Sequence, residues 1–363
     1  MKEKLLRELT VKSVLLMLVT VLLSYGIETA SIARASYGES TSVEAAKDLS
    51  ESTGKLYTNL ETKETKDSLS EPYLVIEKPE EKSYEVSLED LYMEKSIRLS
   101  IQNLREKNFT RGSLLTGSEN ESTIERVRLT YEYEPASFLY TCIFEVELDS
   151  VYAYQLYEDD TAIYVELWEP SKLYDKVIVV DAGHGGNDIG TYSLDMQYYE
   201  KDINLNITKD LKALLDKEDI KVYYTRLSDE KVYLNPRVDL ANEIRADFFI
   251  SIHANSGETT KAKGCEVLYG TTEESDTSFN SKKLASLCLK AMTSGRELAN
   301  RGIVENNEIY IIGKSKVPIA LIEVGFMTNE EDLEYIVDRS NQKKMAEYIY
   351  NGIMAAFSEL KKQ

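Results

Sequence analysis

The sequence predicts an α/β fold with a mostly parallel sheet sandwiched by helices, preceded by a small all-β domain. From residue 176 onward, short β-branched runs alternate with segments of helical period, as in strands joined by crossover helices. From Tyr73 to about Pro170 the period is two, as in antiparallel strands with one wet face. A third observation places the candidate site: the chain of 363 residues has two histidines, and each follows an apolar, strand-like run.

Taken in order, residues 1–35 read as a signal peptide. Lys2, Lys4, Arg7 and Lys12 precede an apolar core at residues 13–23, and Ala33-Arg34-Ala35 offers a small-x-small cleavage site. If the apolar stretch runs on to Ile27, the alternative is an uncleaved N-terminal membrane anchor, with the rest facing outward. Either way the chain is expected to be exported, to the cell envelope or beyond, and only this segment would touch a membrane. Residues 36–71, rich in Ser, Thr, Glu and Lys without a sustained period, read as a disordered linker.

The β domain is expected over residues 72–170. Ile97, Leu99 and Ile101 alternate with polar residues, as do Val127, Leu129, Tyr131 and Tyr133, then Phe144, Val146 and Leu148, then Ile163, Val165 and Leu167. Its tyrosines and Trp168 suit half-buried sheet positions, a simpler reading than a carbohydrate-stacking surface. The formal net charge of −20 argues against nucleic acid as a partner, since phosphate binding needs a basic surface. Cys142, Cys265 and Cys288 are few and far apart, so they are expected as apolar core residues and not as a disulfide framework.

The α/β domain is expected over residues 176–358. Strands are expected at 177–181, 221–226, 248–253, 265–269, 308–312 and 319–324. Helices are expected at about 202–215, 236–245, 282–292 and 343–359, with a short one after Thr328; Asn235 and Pro236 read as a cap and first-turn pair. Ligands of such folds bind at the carboxyl ends of the strands.

Three apolar strands end at ionisable residues. His184 follows the first, His253 closes the third, and Glu323 lies in IALIEVGF. Burying such groups without partners costs several kcal/mol, on the order of a lost charge-solvation shell, and convergence on a metal removes that cost. Glu200 in YYEKDINLN stands at a helix start, where the dipole favours negative charge. His184, Glu200 and His253 thus form a candidate His₂Glu set suited to zinc, and Glu323 is the candidate general base. The plain reading of each residue alone is a hydrogen-bonded core histidine or a helix cap.

These residues sit in blocks that carry a resemblance. DAGHGGNDIG, YEKDINLN, the TRLSD segment with Arg237 and Ala241-Asn242, ADFFISIHAN, NRGI and PIALIEVGFMTNEEDLEYI resemble, in order, the zinc-dependent N-acetylmuramoyl-L-alanine amidases. The resemblance implies Zn²⁺ on His184, Glu200 and His253, catalysis by Glu323, a pocket role for Asn255, and peptidoglycan as substrate. The amide between N-acetylmuramic acid and L-alanine would be hydrolysed. Ala182 stands where the family usually has proline, which should alter the stiffness of the loop without touching a ligand. Only residues 256–281 separate the HAN strand from the next helix, too few for the long inhibitory helix that some envelope amidases carry there. The β domain would serve to bind wall or a partner, leaving the chemistry to residues 171–363. A zinc exopeptidase acting on free peptides and a non-catalytic wall-binding protein remain as alternatives.

Overall fold

The computed structural model describes residues 56–57, 61–62, 69, 72–80, 82–117, 123–272, 279–295 and 297–361. The expected signal or anchor lies outside the described residues, as does most of the expected linker. Among the described residues no helix is long and apolar enough to cross a membrane.

Alternating apolar residues build a β-sandwich from ten strands: β1 (Leu56–Tyr57), β2 (Glu61–Thr62), β3 (Tyr73–Glu77), β4 (Glu85–Leu91), β5 (Ser96–Leu104), β6 (Leu114–Thr116), β7 (Ile124–Glu134), β8 (Leu139–Leu148), β9 (Ala153–Glu158) and β10 (Ala162–Trp168). They form two five-stranded sheets, β1-β4-β5-β8-β7 and β2-β9-β10-β3-β6. Leu88, Ile97, Leu99, Phe144 and Val146 of the first sheet meet Leu74, Ile76, Ile163, Val165 and Leu167 of the second in one core. Two short strands therefore come from the stretch expected as linker: β1 pairs with β4, and β2 runs parallel to β9.

The expectation of one wet face fails at β10, which is buried on both faces from Ala162 to Leu167. Tyr73, Tyr157, Ala162 and Tyr164 make a second small cluster on its outer side. The Tyr164 hydroxyl donates to Asp159 Oδ2 at 2.7 Å, so this tyrosine is committed to packing and a hydrogen bond.

A short helix, α1 (Pro170–Leu173), leads into the α/β part. Its strands are β11 (Val177–Ala182), β12 (Lys221–Tyr224), β13 (Phe248–Asn255), β14 (Cys265–Tyr269), β15 (Asn300–Glu305) and β16 (Ile319–Phe326), in the order β12-β11-β13-β16-β14-β15. β12, β11, β13 and β16 are mutually parallel, whereas β14 runs antiparallel to β16 and carries β15 with it. The helices are α2 (Glu200–Leu215), α3 (Leu234–Glu243), α4 (Ser281–Met292), α5 (Tyr310–Lys314), α6 (Glu330–Val337) and α7 (Arg339–Leu360). On one face α2, α4 and α7 bury Ile207, Leu211, Leu284, Met345 and Ile349 against Ile178, Ile250 and Ile322. On the other, α3 and α5 bury Val238, Ala241, Ile311 and Ile312 against Val179, Phe249 and Leu321. All three cysteines are free and buried, as core residues.

Two local expectations are corrected. Residues 308–312 are not a strand; α5 begins at Tyr310, and the sixth strand is β15. An IYII run is too short to separate periods of two and 3.6, and β15 is an edge strand with no fully buried residue, so it lacks an apolar signature. Helix α3 starts at Leu234 with Tyr233 as its cap, so Asn235 and Pro236 lie inside the first turn. There the missing proline N–H has no intrahelical partner to lose.

Candidate metal and catalytic site

The site forms where β11, β13 and β16 end. After β11 the chain breaks into glycines: His184 itself has φ 62°, followed by Gly185 at 133° and Gly186 at 59°. A non-glycine residue rarely adopts such a backbone, and two buried arginines hold it there. Arg237 donates from Nη2 to the His184 carbonyl (2.7 Å) and from Nη1 to that of Ala182 (2.8 Å) and to Asp181. Arg226 donates to the carbonyls of Ala182 (2.9 Å), Gly183 (2.8 Å) and Lys201 (2.9 Å). Burial, with Arg237 close by, draws the Arg226 guanidinium down to about 10. Asp181 is in turn anchored by Thr225 and Ser251 hydroxyls.

This scaffold brings His184, Glu200 and His253 together, with one ligand atom from each within 4.8 Å of the others. His184 Nδ1 lies 2.9 Å from Asp188 Oδ1, which turns Nε2 toward Glu200 Oε2 at 3.3 Å. His253 Nδ1 lies 2.8 Å from Glu200 Oε1. Glu200 opens α2 and is only 4% exposed; the backbone N–H groups of Thr191 (2.8 Å) and Ala254 (3.1 Å) donate to its two oxygens. Burial alone would raise the Glu200 carboxyl, but the hydrogen bonds and charges of both histidines hold it well below the usual range. Burial opposes charge on His184 as well, yet Glu200 and Asp188 raise it above its ordinary value. Glu200 is therefore held in its ionised form between the two rings.

Two glycines make room for it. A Cβ on Gly183 would fall 2.3 Å from the His253 ring, and one on Gly190 would fall 2.4 Å from Glu200 Oε2 and 2.7 Å from the His184 ring.

Glu323 sits beside the cluster because its strand position pairs with His253 in the parallel β13·β16 register. Its Oε2 is buried without a hydrogen-bond partner among the described residues. Burial first, then the charges of Glu200 and Glu266, push its carboxyl well above the ordinary carboxylate range. Asn255 does not present a free amide: its Nδ2 donates to Glu266 Oε1 at 2.8 Å, and its Oδ1 accepts from the Ser256 N–H.

Sequence reasoning passed over Asp188, Asn204, Arg226 and Glu266. Asn204 lies one helical turn after Glu200 and donates to Glu200 Oε1 and the Gly183 carbonyl. Glu266 is a lone charge within CEVLY, and that interruption of an apolar strand was a usable signal.

Fold and site together define an α/β domain with a candidate two-histidine, one-glutamate metal site at the ends of its parallel strands. Residues 178–355 match the family model Amidase_3, N-acetylmuramoyl-L-alanine amidase. The chain is 34% identical over 184 residues to the uncharacterized protein YqiI of Bacillus subtilis, spanning 51% of this chain and 86% of that one. It is 35% identical over 188 residues to the probable cell wall amidase LytH of Staphylococcus saprophyticus, covering 52% of this chain and 60% of that one. To the N-acetylmuramoyl-L-alanine amidase LytC of B. subtilis it is 31% identical over 182 residues, 50% of this chain but 36% of that one. Among solved structures, the catalytic domain of CwlV from Bacillus (Paenibacillus) polymyxa var. colistinus is similar at 30% identity and TM-score 0.47, covering 50% of this chain and 98% of that one. The chain belongs to the N-acetylmuramoyl-L-alanine amidase family.

Proposed function

We propose that this chain is a zinc hydrolase that cleaves the amide bond between N-acetylmuramic acid and L-alanine in peptidoglycan. The observation that carries the reading is the convergence of His184, Glu200 and His253 beside a second carboxylate, Glu323, whose Oε2 has no hydrogen-bond partner among the described residues, in a chain of this family. Two imidazoles and a carboxylate suit zinc by ligand chemistry. When bound, zinc supplies a Lewis acid for the scissile carbonyl and makes water a nucleophile near neutral pH.

The protein's own residues would do the rest. Glu200 and the two histidines hold the cation, with Asp188 fixing the tautomer and direction of His184. Glu323 accepts the proton of the attacking water at Oε2 and returns it to the leaving nitrogen of L-alanine. Burial, which raises its pKa, makes the ionised carboxylate a stronger proton acceptor than an exposed glutamate would be. The reading includes export, with residues 1–35 as signal and mature protein starting at Ser36, and localisation on wall or partner as the use of the β domain.

The test is digestion of purified peptidoglycan with zinc-loaded protein, followed by mass spectrometry of the new ends. Free L-alanine amino termini matched by muramic acid carboxyls are expected. Cleavage confined to peptides lacking a muramyl group would replace the reading with an exopeptidase, and no cleavage at all would leave a wall-binding protein.

A further inference from the structure

The NRGI segment has no part in the chemistry above, yet it borders the catalytic row. Across the sheet, His253 pairs with Glu323, and Glu323 pairs with Glu266. The next strand is β15, where the register shifts between the Cys265–Asn300 and Val267–Ile303 pairs, and Arg301 sits in that irregularity. Gly302, at φ 94° and with nothing within 4 Å of where a Cβ would stand, supplies the backbone freedom for it.

Arg301 is held on two sides. Its Nε donates to Glu266 Oε2 at 2.8 Å, and its guanidinium carbon lies 4.7 Å from the centroid of the Phe326 ring. Glu266 is itself fixed by Asn255 Nδ2 through Oε1. The remaining donors are little used: Nη1 reaches only the Lys263 carbonyl at 3.4 Å, and Nη2 has no partner among the described residues. The side chain is 37% exposed. An exposed arginine–glutamate pair alone adds little stability, so a stacked, doubly aimed guanidinium with open donors points to a ligand.

We propose that Arg301 binds a carboxylate of the stem peptide on the leaving-group side of the scissile amide, with Glu266 and Asn255 as positioning residues. This rests on the amidase reading. In such a substrate the sugars present neutral hydroxyl and acetamido groups, and the muramyl carboxyl is consumed in the amide, so free carboxylates belong to the peptide. Arg301 lies two strands beyond Glu323, about 10 Å at the usual strand spacing, which an extended peptide covers in two to three residues. The planar fork of arginine suits a carboxylate in a bidentate contact.

The test uses zinc-loaded full-length protein and soluble muropeptides that differ only in one stem carboxylate, free or masked as a carboxamide, at the second and then the third residue. Masking the contacted carboxylate should lower kcat/KM roughly tenfold to hundredfold, mainly through KM, the range of a charged hydrogen bond. Arg301→Gln should impose that loss on the free acid and none further on the masked one, with Arg301→Lys between. Calorimetric titration with the free stem peptide, which needs no turnover, should show the same preference. Equal cleavage of free and masked substrates by the unmutated protein would overturn the inference while the amidase reading stands. So would equal losses by Arg301→Gln on both substrates. Failure to cleave any muropeptide would overturn both.

Discussion

His184 holds a backbone conformation that its own side chain disfavours, and the site depends on it because that turn directs the ring at Glu200. The space around the ring is equally constrained. In Gly190→Ala the new Cβ would fall 2.4 Å from Glu200 Oε2, at a glycine with φ 66°, so either the loop or the carboxylate must move. Zinc affinity is expected to drop by roughly 10- to 100-fold, the range for disturbing the support of a ligand, and metal titration of the purified variant measures it. An unchanged affinity would refute the proposed ligand set. Roles also separate by mutation: Glu200→Ala should lose zinc, whereas Glu323→Ala should keep zinc and lose turnover by about two orders of magnitude or more. Zinc per chain and initial rate distinguish them, and equal zinc loss in both would sink the assignment. His184, His253 and Glu323 were legible because ionisable groups stand out in apolar strands or at their ends, and Glu200 because a carboxylate opens a helix. Arg226 and Asn204 were not, because they serve backbone carbonyls that only the folded glycine loop turns toward them.

Among elements, the central parallel strands and long helices were readable from period alone, since β11, β13 and β16 are buried along nearly their whole length. Edge strand β15 and short helix α5 were exchanged because neither carries a full period of apolar residues. What joins the central strands to the site is the buried pair of Asp181 on β11 and Arg237 on α3. Complete burial would push the Asp181 carboxyl up, but the Arg237 guanidinium, His253 and the Thr225 and Ser251 hydroxyls hold it below the usual range. A depressed folded value means that this group's stabilisation is present above its unfolded value of about 3.9 and is lost as pH falls through the folded one. In Arg237→Ala burial should prevail and raise the carboxyl, reversing the sign: stability then declines as pH rises past about 3.9. The variant should lose about 3–5 kcal/mol near neutral pH, as expected for an orphaned buried charge. The gap in Tm from the unmutated protein should narrow toward about pH 4, where the carboxyl can be protonated at little cost. A gap that stays constant across that range, followed by calorimetry, would show that the pair is not electrostatically coupled.

At the scale of the whole molecule, the expectation that the chemistry lies in residues 171–363 is joined by a core to which both domains contribute. Tyr92, from the short turn after β4, is 3% exposed and packs edge-on against Tyr223 of β12 with ring centroids 4.8 Å apart. Its hydroxyl donates to the Tyr224 carbonyl (2.8 Å) and accepts from the Tyr224 N–H (2.9 Å), thereby capping the edge strand of the catalytic sheet. Val151 joins the same cluster, Asp90 lies 3.5 Å from the buried Lys221 ammonium, and Glu243 of α3 accepts from Ser150 Oγ and the Val151 N–H. None of this was legible in the sequence, because the alternation of β4 reports which face is buried and not what buries the residues at its end. Tyr92→Phe leaves a backbone donor and acceptor of β12 without their partner, and should cost about 1–3 kcal/mol while preserving the ring packing. Cutting at residue 171 removes the ring as well, strips Lys221 of Asp90, and bares an edge strand that other chains can pair with. The fragment should therefore melt well below the full chain and form aggregates on gentle heating, even though it keeps His184, Glu200, His253 and Glu323. Melting curves and light scattering of the full chain, Tyr92→Phe and the fragment should show graded losses in that order. If the fragment instead matches the full chain in Tm, stays monomeric and cleaves soluble muropeptides as fast, the shared core adds nothing to the fold and the β domain serves only to localise the enzyme.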